Sequence, residues 1–105
     1  MAQNCSSKVL IFDGSNYAFW EVMMQTYLLS INVDVWASVV NGYKVPNTLP
    51  LDPNEKRKYE TDMKAKFSIL NNLSKDVFVK VMHCSSSTEV WDNLKNTYHG
   101  NDRVK

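Results

Sequence analysis

His83 and Cys84 stand side by side, and a thiol beside an imidazole is the raw material of a nucleophile or a metal site. Adjacency is poor geometry for either, because neighbouring side chains do not converge on one point. Cys5 is too distant in sequence to count as a third ligand, so no metal and no nucleophile are expected. Lys56-Arg57-Lys58 is a basic run of the kind that touches phosphates. Glu55, Glu60 and Asp62 interleave with it, which reads as a solvated helix face. Tyr17, Trp20, Trp36 and Trp91 could line a ligand box, yet their spacing is that of helical core positions. The acidic residues form no convergent pair. The three glycines build no phosphate loop. The expectation is a protein without catalysis, cofactor or metal.

The elements that must position these residues belong to one small domain. The chain has 105 residues, 44% hydrophobic and 11% aromatic, a globular composition. Its formal charge is +1, without the basic excess of a phosphate-binding domain. Two cysteines so far apart suggest reduced thiols in an intracellular, cytoplasmic protein. Val9-Leu10-Ile11-Phe12 is too short for a signal peptide or a membrane span. Ala2 stands where myristoylation needs glycine, and Arg103-Val104-Lys105 is not a prenylation signal, so no membrane anchor is expected.

The pattern predicts an all-α fold, a compact bundle of about five helices. Residues 1–8 read as a flexible N-terminus and 9–105 as the domain. Asp13-Gly14 is a turn signal, after which Ser15 or Asn16 caps a first helix over about 16–30. Its apolar stripe is Tyr17, Trp20, Met24, Tyr27, Leu28 and Ile31, with Phe12 closing over it. Phe19 lies one residue off that stripe. With Met23 it forms a candidate interface patch. A second helix over about 33–40 turns Trp36, Val39 and Val40 inward and stops at Gly42. Pro46 and Pro50 make 43–52 the longest loop. Asp52-Pro53-Asn54-Glu55 opens a third helix reaching Leu73, with Tyr59, Met63, Phe67 and Leu70 on one face, joined by Ile69 and Leu73. Glu60–Lys64 and Asp62–Lys66 are i,i+4 pairs of favourable orientation. Ser74 caps a fourth helix running to about His83. Ser86-Ser87-Thr88-Glu89 opens a fifth with Val90, Trp91, Leu94 and Tyr98 inward, ended by Gly100. The fold-specifying core set is therefore Phe12, Tyr17, Trp20, Trp36, Phe67, Trp91, Leu94 and Tyr98.

The opening Phe12-Asp13-Gly14-Ser15-Asn16-Tyr17-Ala18-Phe19-Trp20 resembles the start of the Gag polyprotein of copia-type LTR retrotransposons, widespread in plants. Further landmarks follow in the order of that family. They are Val35-Trp36-Ala37-Ser38-Val39-Val40 before Gly42, Asp62 to Leu70, and Val77-Phe78-Val79-Lys80-Val81. Last come Glu89-Val90-Trp91-Asp92-Asn93-Leu94 and Tyr98-His99-Gly100. The resemblance covers roughly residues 9–105. It implies an N-terminal capsid lobe that self-associates into virus-like particles, weakly alone and more strongly with a second helical lobe. The family's zinc knuckle pattern is missing from these residues, so strong RNA binding is not expected of them. The alternative is a domesticated lobe acting as an adaptor that binds a peptide in a groove between helices.

Overall fold

The computed structural model describes residues 11–99. The expectations for residues 1–10 and 100–105, including Cys5 and the stop at Gly100, lie outside them. Five α-helices follow in order: α1 Tyr17–Ile31, α2 Val33–Asn41, α3 Pro53–Leu70, α4 Lys75–Val81 and α5 Ser87–Leu94. A π-helical turn, Lys95–His99, continues α5. Among the described residues there is no strand, only an isolated parallel bridge between Phe12 and Leu73. The fold is all-α, as the periodicity requires.

The entry to α1 differs from the expected cap. Gly14 takes φ +103°, as the turn demands, and a Cβ there would stand 3.5 Å from the Tyr98 ring. Neither Ser15 nor Asn16 caps by its side chain. Asn16 occupies the N-cap position in left-handed geometry, φ 56°, with no side-chain bond. Asp13 supplies the acceptor instead, taking Ser15 N at 3.0 Å and Ser15 Oγ at 2.7 Å. Those two bonds hold the Asp13 carboxyl below its usual range.

Caps explain most other boundaries. Asn32 Oδ1 accepts from Asp34 N at 2.7 Å and starts α2. Asp52 accepts from Asn54 N and Glu55 N, both at 3.1 Å, with Pro53 at the first helical position. Ser86 Oγ accepts from Glu89 N at 3.1 Å. The reciprocal bond is displaced by one residue, since Glu89 accepts from Ser85 N at 2.6 Å. Ser74 corrects its expectation: it sits at the N-cap of α4, but its hydroxyl makes no cap bond and is buried without a partner. Helix α3 stops at Leu70 rather than Leu73. Asn71 and Asn72 turn the chain there, and Asn72 Nδ2 donates to Ser68 O at 2.7 Å. Helix α4 ends at Val81, short of His83.

The core has an aromatic centre. Phe12 stacks on Trp20 at 5.0 Å and meets Tyr17 and Tyr98 edge-on at 5.7 and 4.9 Å. Trp20 leads to Trp91 at 5.6 Å, and Trp91 to Trp36 at 5.3 Å. Phe12, Tyr17, Trp20, Trp91, Leu94 and Tyr98 are buried, and Trp36 is half-buried against them. The backbone holds Phe12 in place: its N–H donates to Asn72 O at 2.9 Å, and its carbonyl accepts from Ser74 N at 2.8 Å.

Phe67 is a correction. It is 68% exposed. The inward stripe of α3 is Asp62, Ala65, Ser68 and Ile69, whose centre lies about 140° round the helix from the Tyr59–Met63–Phe67–Leu70 line. Apolar residues alone drew the wrong line because two inward positions are polar. Val40 is likewise exposed; Val35 and Val39 take the inward face of α2 beside Trp36.

Candidate assembly surface

Helix α1 presents two apolar sides. Tyr17, Trp20, Met24 and Leu28 are buried in the core. On the other side Phe19 is 51%, Val22 62% and Leu29 37% exposed. The two candidate interface residues differ: Phe19 is exposed, while Met23 is half-buried on the shoulder between the sides. Sequence reading found Phe19 because it leaves the main stripe. Val22 and Leu29 share its side but drew no attention, since neither is large enough to stand out without the burial of the opposite side being known. Glu21 is the one charged residue of α1, and it accepts from Tyr17 Oη at 3.4 Å. An exposed helix side without charge is the feature of this surface that invites covering.

Behind α1 the frame is fixed by a polar knot that the sequence reading missed. Asp62, on α3, is fully buried. Its Oδ1 accepts from Ser38 Oγ of α2 at 2.7 Å and Ser87 Oγ of α5 at 2.5 Å, and its Oδ2 from Ser87 N at 3.1 Å. Thr88 Oγ1 then donates to the last turn of α2, at Val39 O (2.9 Å) and Ser38 O (3.1 Å). The expected Asp62–Lys66 pair therefore does not form. Asp62 turns inward and Lys66 Nζ donates to Ser85 O at 3.2 Å. The sequence signal was present, a carboxylate one turn before Ala65 with serines at two helix ends, but each residue alone reads as a solvated one.

Next to this knot runs the extended stretch from Gly42, where φ is +85°. An open groove of about 550 Å³ separates it from the start of α5, lined by Tyr43, Lys44, Thr88, Glu89 and Asp92. A second, of about 650 Å³, lies toward α2 and α3, with Asp34, Glu55, Arg57 and Lys58 along it. Burial, then Asp62 and Glu55, raise the Tyr43 phenol above its usual range.

The remaining candidates come apart. His83 is exposed, whereas Cys84 is buried. Burial pushes the Cys84 thiol up, Glu89 adds to this, and Lys66 opposes it. A thiol held neutral is a poor nucleophile and a poor ligand. No group of three metal-ligating side chains gathers among the described residues. Lys56, Arg57 and Lys58 are exposed on α3, and Lys58 pairs with Glu55 at 3.7 Å, the one ion pair among the described residues. No described helix is long and apolar enough to cross a membrane.

The family model of the gag polypeptide of copia-type LTR elements matches residues 24–105. That span begins inside α1 and takes in the polar knot, both grooves and the whole of α2 to α5. No curated protein and no solved structure shows significant similarity to the chain.

Proposed function

Because the chain belongs to the copia-type gag family, we propose that it works as the N-terminal capsid lobe of such a Gag and self-associates into virus-like particles. The observation that carries this reading is the uncharged, exposed side of α1 around Phe19 and Val22. A lobe built on buried aromatics and a fixed polar knot offers a rigid platform for that side. Capsid lobes make many weak contacts and rely on avidity. The lobe alone is then mainly monomeric at micromolar concentration, and association grows when a second lobe is joined to it.

The test is Phe19→Asp in a full-length Gag carrying this lobe. Particles should disappear from electron micrographs, while circular dichroism of the isolated variant stays helical. Normal particles would remove this side of α1 from assembly. A second reading, an adaptor that takes an extended peptide, draws on the two open grooves beside Tyr43 and Lys44. A tight, monodisperse wild-type dimer that forms no particles would favour it.

A further inference from the structure

The outward side of α1 has a spacing that says more than its apolarity. Phe19, Val22, Thr26 and Leu29 are separated by three, four and three residues, and all four are exposed. At about 100° per residue they fall within one narrow stripe, opposite the buried stripe of Tyr17, Trp20, Met24 and Leu28. A three-four-three run is the a/d seam of a two-stranded helix pair. It also reads the same from either end, about a centre at Met24. When such a helix meets a second copy antiparallel, a two-fold axis at that centre sets Phe19 against the other Leu29 and Val22 against the other Thr26.

Charge points to the same occupant. Glu21 lies well away from the stripe, on the side of Tyr17, so two copies meet without like charges opposed. The exposed run of α3, by contrast, carries Glu55, Lys56, Arg57, Lys58, Glu60 and Lys64. A strongly charged partner would lose hydration on an uncharged stripe and gain no pairing; a second α1 loses nothing of that kind. Four partly exposed side chains make a small patch, well short of the about 800 Å² per partner of a stable dimer, which makes the contact weak.

From these observations we infer that α1 is a two-fold contact: two lobes pair antiparallel through Phe19, Val22, Thr26 and Leu29. The inference rests on the assembly reading above and specifies its geometry. It implies that this contact closes on itself and joins lobes in pairs, so any ring must use another surface.

A charge exchange tests it. In the 105-residue chain, Phe19→Lys and Leu29→Glu each put a charge into the stripe, and each should weaken association about tenfold or more by equilibrium sedimentation. The double variant Phe19→Lys/Leu29→Glu places opposite charges face to face across the two-fold. It should recover to within about threefold of wild type, with the recovery fading at high salt. In a Cys5→Ser background, mixed Val22→Cys and Thr26→Cys chains should cross-link to each other faster than either does to itself. This cysteine pair also decides the matter should a charged variant fail to fold. Preferred Val22–Val22 linkage, or a double variant no better than the singles, overturns the two-fold while leaving assembly through α1 standing. A wild-type chain monomeric at millimolar concentration overturns the pairing as well. Unchanged particles from full-length Gag carrying either single variant overturn both readings.

Discussion

Around Phe12 the chain is joined by rings, and around Asp62 it is joined by hydrogen bonds. Both sites tie together segments far apart in sequence. The ring cluster unites the stretch before α1 with α1, α5 and the π-helical turn. The knot unites α2, α3 and α5 through one carboxylate and two serines. Burial of rings is non-directional, so that cluster gains its energy over many contacts, each small. The knot gains its energy from a few bonds with fixed directions, and a buried donor left without its acceptor is costly. The first sets how strongly the bundle holds; the second sets how the helices are turned within it.

Substitutions at three positions test that contrast. The largest effect is expected of Trp91→Ala, which empties the middle of the ring chain between Trp20 and Trp36. Chemical denaturation should show a loss of about 3–5 kcal/mol, a large part of the stability of a small domain. Wild-type stability would place the ring on the surface and dissolve the comparison.

Asp62→Ala comes next, at about 3 kcal/mol, because the Ser87 N–H and hydroxyl lose a charged acceptor inside the protein. Asp62→Asn should cost less. The amide oxygen can face Ser87 N–H while the serine hydroxyls rotate to accept from the amide nitrogen. Equal losses for the two variants would mean that the carboxylate's charge, rather than the pattern of donors, holds the knot.

The smallest effect belongs to Phe67→Ser. Its ring is exposed, so the change should stay within about 0.5 kcal/mol by thermal melting. A loss comparable to that of Trp91→Ala would mean that the inward side of α3 had been assigned to the wrong stripe.

The two regions also differ in how much of them the sequence disclosed. Trp20, Trp91, Leu94 and Tyr98 announce themselves by helical spacing, and Phe12 by standing just outside a helix start. Such residues have one common fate in water, so pattern and burial coincide. Asp62, Ser38, Ser87 and Thr88 have no such single fate. Each is a type usually found on the surface, and only their convergence in space makes them interior. That is also why Phe67 was misplaced: with Asp62 assigned to a solvated face and Ser68 giving no apolar signal, the apolar line through Phe67 was the best stripe left on α3. Helix starts with an Asp or serine acceptor were legible from type and spacing at Asp52 and Ser86. Asn16 was not, because its left-handed backbone follows from the Asp13 turn rather than from its own side chain. The outward stripe of α1 was half legible. Phe19 stood out by size, while Val22 and Leu29 needed the burial of their neighbours to be known first.

The bridge at Phe12 carries a consequence for the birth of the chain. Phe12 leaves the ribosome well before the groups that receive its backbone, at Asn72 and Ser74, and Tyr98 comes later still. Closing so long a loop has an entropic cost that only the finished cluster repays. Until α5 and the turn after it emerge, Phe12, Tyr17 and Trp20 have no cover, and α1 is apolar on both sides. Nascent chains synthesised side by side on one message would meet through that helix before either is complete. The same apolarity on which the proposed pairing of finished lobes rests would thus expose α1 to premature contact during synthesis.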